Sequence, residues 1–184
     1  MKGVYPRLSQ LLVTHLQELK AESRHYAQGD VVIEKQKHAD DILLLLSGEL
    51  SVEISPECEL ARIKPGEMLG EMGLSGDNRH SATVRVHDGP AELIQVNADA
   101  LLRLALFDGD LALEMLALSS ARCRQSNQQM ALLLGAIQAL SDGNSDQLQT
   151  SLNHLQAEAG GFQAAAKHLA SISERLIKPS RSGG

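Results

Sequence analysis

Residues 65–86, PGEMLGEMGLSGDNRHSATVRV, place Gly66, Gly70 and Gly73 around the carboxylate Glu71, then, past Gly76, the basic pair Arg79-His80 and a short alternating run. Such a stretch is either a pocket for an anionic ligand or a turn between strands. Its surroundings decide.

On both sides the texture is β. GDVVIEKQ from Gly29, DDILLLLSGELSVEI from Asp40, CELARIKPGEML from Cys58, SATVRV from Ser81 and AELIQV from Ala91 are short apolar or β-branched runs. Gly, Pro, Asp and Asn separate them at intervals of about ten residues, the pattern of a small antiparallel sandwich or barrel. Gly48, between two apolar runs, reads as a bend or turn within that region. Upstream, Leu8, Leu11, Leu12, Leu16 and Leu19 follow helical spacing, so a helix precedes residue 25. Downstream, Asn97 is a good N-cap for a short helix near residues 98–106, and a longer helix follows from about Asp110 to Leu140.

The long helix repeats Leu113, Leu116, Ser120, Cys123, Asn127, Met130, Leu134 and Ile137 at alternating spacings of three and four. That is the heptad seam of a two-stranded coiled coil, in which a buried Asn127 fixes register, so the expectation is a homodimer. The alternative is one helix packed on its own β domain. After the loop SDGNS, the tail carries a second seam at Leu148, Leu152, Leu155, Ala159, Phe162, Ala166, Leu169, Ser173 and Leu176, which fits one continuous rod or, with a break at Gly160-Gly161, two antiparallel helices. The cations Lys167, His168, Arg175, Lys178 and Arg181 have Glu174 among them and no interleaved aromatic residue, and read as a solvated face. The expected class is α+β: an antiparallel β-roll or jelly roll over residues 1–108, a dimerisation helix over 109–140 and a helical tail over 145–178.

Composition narrows the function. A chain of 184 residues with a formal charge of −6 disfavours non-specific binding to nucleic acid or to an anionic membrane. No membrane span and no signal peptide are read, and the two cysteines, Cys58 and Cys123, far apart and without a CxxC spacing, suit the cytoplasm as buried, inert thiols. Seven histidines fall without an HxH or HxxxH pair, so no metal site is expected. Neither a Walker-A loop nor a GxSxG elbow is present, and no enzymatic activity is expected.

The order helix, β region, short helix, long helix resembles the cyclic nucleotide-binding domains of the bacterial catabolite-activator and protein-kinase-A regulatory type. The resemblance rests on Gly29 in QGDVVI, Gly48 in LLLLSGELSVEI, Pro65-Gly66 in RIKPGEMLGE, Gly70-Glu71 in LGEMGL and Ala82-Thr83-Val84 in HSATVRV, and covers roughly residues 8–138. It implies that Gly70, Glu71, Met72, Gly73 and Leu74 form the phosphate-binding cassette, a single helical turn whose backbone N–H groups face the anion. It implies further that Glu71 accepts the ribose 2′-hydroxyl, a charge-assisted bond, and that Ser81 offers a hydroxyl or N–H to the phosphate. The implied ligand is cyclic AMP or cyclic GMP, with no other cofactor.

Two positions depart from the family pattern. The arginine that precedes the small residue and Ala82 is replaced by His80, with Arg79 one place earlier. Neighbours in an extended segment face opposite ways, so Arg79 should point away from the pocket. Histidine lacks the planar fork and is mostly neutral at pH 7, a loss of roughly tenfold to a hundredfold in affinity if the charged bond is not made. Gln36 stands where the family has the glycine of a tight turn. On the long helix, register offers Ser126 and Asn127 to the base, with Arg122 or Arg124 equally placed. No winged helix-turn-helix follows the long helix, so no DNA partner is expected; the helices would signal to a partner protein of unknown identity. The rival readings are a degenerate domain serving as a dimerisation platform, and a pocket for another anion such as a cyclic dinucleotide.

Overall fold

The computed structural model describes residues 6–55, 58–74, 77–157 and 161–177. In chain order the elements are α1 (Pro6–Thr14), β1 (Glu22–Tyr26), β2 (Val31–Ile33), β3 (Asp41–Ser55), β4 (Cys58–Ile63), β5 (Met68–Leu69), a 3-10 turn (Glu71–Leu74), β6 (Thr83–Asn97), α2 (Ala98–Ala105), α3 (Gly109–Ser141), α4 (Ser145–Ala157) and α5 (Gly161–Ile177). They form two compact units, Met1–Ala121 and Arg122–Gly184.

The first unit is built on an open antiparallel sheet of six strands in the order β1-β6-β3-β4, with β2 on β6 and β5 on β3. β3 and β6, 15 residues each, are its frame. Gly48 does not end a strand. It sits at φ +90° inside β3, and a Cβ there would stand 2.8 Å from the Pro90 carbonyl oxygen and 2.9 Å from the Ala91 Cα. Only glycine allows β6 to cross so close, and the register shifts around it as in a bulge. SATVRV and AELIQV, which read as separate runs, are one strand, because pairing continues between them through Glu49 and Asp88.

The edge strand β1 precedes the first β run legible in the sequence. Its residues, ESRHY, have no apolar alternation; cross-strand polar bonds hold it instead, Ser23 Oγ donating to Glu92 Oε1 at 3.0 Å and Arg24 Nε to Gln95 Oε1 at 2.9 Å. Two apolar clusters fill this unit. One lies within the sheet around the fully buried Leu45, Leu50 and Leu93. The other joins Leu8 and Leu12 of α1, Leu101 of α2 and Leu111 and Leu118 of α3 to Ile42, Met68 and Val96 of the sheet. Each such fully buried leucine contributes about 1.5–3 kcal/mol relative to exposure.

In the second unit the tail is two helices rather than one rod. α4 and α5 pack around Leu148, Leu152, Leu155 and Ala166, and Ala136 and Ala139 of α3 join the same cluster. Asn144 caps α4 by accepting the Gln147 N–H at 3.1 Å. Ala159, Gly160, Lys178 and Arg181 lie outside the described residues. Of the heptad positions on α3, Leu113 and Leu116 are exposed in the first unit, as are Cys123, Asn127, Met130, Leu134 and Ile137 in the second. The expectation of two buried thiols is corrected: Cys58 is half-buried on β4 and Cys123 is exposed, because it lies on a face of α3 that this chain does not cover. No helix among the described residues is long and apolar enough to cross a membrane, and none of their His, Cys, Asp and Glu side chains form a group able to hold a metal ion.

Candidate ligand site

Short strand β5 delivers the chain to Gly70, where it turns sharply. Gly70 adopts φ +88°, and a Cβ on it would stand 2.8 Å from the Asp41 carbonyl oxygen. A side chain is therefore excluded both by conformation and by space. The Gly73 N–H donates to the Gly70 carbonyl at 3.0 Å and closes the 3-10 turn Glu71–Leu74. Within that turn Glu71 is only 7% exposed, Met72 projects outward at 63%, and Leu74 packs against the helical cluster of the first unit.

A second segment, residues 36–41, clamps the turn. A Cβ on Gly73 would overlap the Cβ of Ala39, so the two backbones touch through glycine. Asn78 ties them: its carbonyl accepts from the Ala39 N–H at 3.1 Å, and with its amide nitrogen toward the two carbonyls it donates to Gly73 at 2.9 Å and to Ala39 at 3.3 Å. Asn78 adopts φ +54°, a left-handed conformation that asparagine tolerates better than most residues. Gln36 also lies there, at φ +70°, which is the physical content of the glycine missing from this turn.

His80 and Arg79 part as alternation requires. The His80 N–H donates to the Lys37 carbonyl at 3.0 Å and its carbonyl accepts from the Gln36 N–H at 2.9 Å, so the backbone is pinned on both sides. Its half-buried ring faces Gly70, with Cε1 3.7 Å from the position a Gly70 Cβ would occupy. Burial lowers the His80 pKa below the ordinary histidine value, with Asp40 acting in the opposite direction. The exposed Arg79 instead donates from Nη1 to the Gln36 carbonyl at 2.6 Å.

Gly70 to Leu74 and His80 thus come together, with Ala82 half-buried and Ser81 exposed just before β6. Ser126 and Asn127 are exposed on α3 in the second unit. Ala39 and Asn78 escaped the sequence reading. The available signal was Asn78 itself, a residue suited to positive φ in the loop that faces the 3-10 turn.

A backbone turn rich in N–H donors, a buried carboxylate and a neighbouring imidazole can hold a small molecule that carries both an anion and hydroxyl groups. The sequence model of the cyclic nucleotide-binding domain family matches residues 23–106. No curated protein matches the chain. Among solved structures, the catabolite activator protein of Thermus thermophilus aligns at 18% identity with a TM-score of 0.57, covering 100% of this chain and 89% of that one. A transcriptional regulator of Thermotoga maritima aligns at 21% identity and a TM-score of 0.56, covering 64% and 94%. The sensor domain of the transcriptional regulator DNR from Pseudomonas aeruginosa aligns at 25% identity and a TM-score of 0.54, covering 62% and 91%.

Proposed function

Because residues 23–106 are a cyclic nucleotide-binding domain, we propose that this chain is a regulatory module that takes up cyclic AMP or cyclic GMP at Gly70–Leu74 and signals to a partner protein through its helices. The observation that carries the reading is the buried Glu71 held in a turn behind left-handed Gly70, with His80 at its edge. Backbone N–H groups of the turn meet the cyclic phosphate, and Glu71, kept from water, accepts the ribose 2′-hydroxyl. Occupancy becomes a signal when the nucleotide makes these contacts in one arrangement of the helices and not in another.

The reading includes a homodimer. Leu113 and Leu116 in one unit and Met130, Leu134 and Ile137 in the other are large apolar side chains about half exposed or more, and a second α3 set against the heptad positions would cover them. It includes no DNA contact, given a net charge of −6 and the mixed charges of α5, and no catalysis. A reducing cytoplasm suits the free Cys58 and Cys123.

The test is titration calorimetry of the full chain, freed of retained ligand, with cyclic AMP, cyclic GMP and cyclic di-GMP. One saturable site per protomer for a cyclic monophosphate, weakened by Glu71→Ala, is the expected result. Binding of cyclic di-GMP alone would change the ligand class. Silence for all three, with the variant His80→Arg equally silent, would leave a dimerisation platform as the function.

A further inference from the structure

We propose that His80 meets the cyclic phosphate as an imidazolium, so that capture of each nucleotide draws a proton from solution. The proposal rests on the cassette reading above and deepens it.

Position comes first. The ring is held against Gly70 by a backbone pinned on both sides, at the point where the cassette begins. Histidines 15 and 25 each have a carboxylate within 4 Å, whereas among the described residues no hydrogen bond or ion pair engages the His80 ring. Its nitrogens are thus available to a ligand.

The neighbouring charges do not supply what a phosphate needs. Segment 36–41, packed against His80, carries Lys37, His38, Asp40 and Asp41; the turn carries Glu71; Asp77 and Arg79 precede His80 on its own loop. Lys37 reaches Glu34 at 4.0 Å, and Arg79 is spent on the Gln36 carbonyl. Asp40 and Glu71 are acidic, so an anion entering this turn meets carboxylates unless a cation forms beside it. Protonation of His80 creates that cation: imidazole takes one proton at its unprotonated nitrogen, and both ring nitrogens become donors.

Burial keeps the empty ring neutral near pH 7, and the phosphate monoanion, once beside it, reverses that preference. Proton uptake is then linked to binding. Affinity rises as pH falls, approaching tenfold per pH unit between the pKa of the complex and that of the free protein, and levels off below the latter.

The experiment is calorimetry of the full chain with cyclic AMP and cyclic GMP at pH 7.0 in phosphate and in Tris, whose different ionisation enthalpies report the protons exchanged, repeated from pH 8 to pH 5.5. The expected result is uptake approaching one proton per nucleotide and a dissociation constant falling several-fold or more per unit of pH. His80→Arg should bind roughly tenfold to a hundredfold more tightly at pH 7.5, with no proton uptake and a flat profile. His80→Gln should bind weakly with an equally flat profile. Nucleotide binding that is pH-independent with no proton exchanged overturns the proton coupling and leaves the binding site standing. A wild-type chain that stays silent while His80→Arg binds also overturns it. Silence of both proteins removes the site and the coupling together. Circular dichroism of each variant shows that the fold is intact.

Discussion

Gly73→Ala would drive a methyl group into the clamp that holds the 3-10 turn Glu71–Leu74. The added Cβ overlaps the Cβ of Ala39, which is 1% exposed and, being fixed to the main chain, cannot swing aside as the end of a flexible side chain can. Segment 36–41 has little room to retreat. Its Ala39 amide donates to Asn78, and the Asn78 amide bridges Ala39 and Gly73. Overpacking of this kind costs about 1–3 kcal/mol, and loss of one of these hydrogen bonds adds about 1 kcal/mol. A net destabilisation of about 2–3 kcal/mol corresponds to roughly 8–12 °C in Tm for a unit of this size. Thermal and urea unfolding followed by circular dichroism measure it. Ala39→Gly alone should cost about 1 kcal/mol through lost burial and added backbone freedom. Combined with Gly73→Ala, it reopens the space, so the double variant should be about as stable as Ala39→Gly. That is a coupling of about 2 kcal/mol of favourable sign. An unchanged Tm for Gly73→Ala, or a double variant whose costs simply add, would refute the clamp.

Gln36→Gly should raise stability by up to about 1 kcal/mol, because φ +70° penalises glutamine and not glycine; a lower urea midpoint would show that the glutamine side chain is needed there. Asn97→Ala removes the cap of α2, where Oδ1 accepts the Ala100 N–H at 3.1 Å, and should cost about 1 kcal/mol of unfolding free energy in urea. His80 has a lowered pKa in the folded chain, so the unfolded chain takes the proton more readily. Its contribution to stability is therefore complete above about pH 6.5 and is lost as pH falls below that value. Unfolding curves of the ligand-free protein between pH 7 and pH 5 should accordingly be steeper in pH for wild type than for His80→Gln, and coincident curves would contradict it.

Much of the architecture is written locally. Leucine spacing announces α1 and the seams of α3 and α4, Asn97 announces the start of α2, and apolar runs cut by turn residues announce β2 to β6, because each of these signals acts over a few residues. A helical turn at Glu71–Leu74 was implied by the family resemblance, and its closing hydrogen bond, from the Gly73 N–H to the Gly70 carbonyl, is local to it. The alternation that separates His80 from Arg79 needs only the two-residue period of an extended backbone. Other features exist only after distant segments meet. β1 is a strand because β6 offers it a ladder, not because ESRHY alternates. Gly48 is required by the approach of Pro90 and Ala91, and Gly73 by that of Ala39, neighbours set by tertiary packing rather than by adjacent sequence. The state of His80 is of this second kind as well. Its identity is a letter at position 80, but burial against Gly70 decides whether the ring carries a proton, and burial is a property of the folded chain.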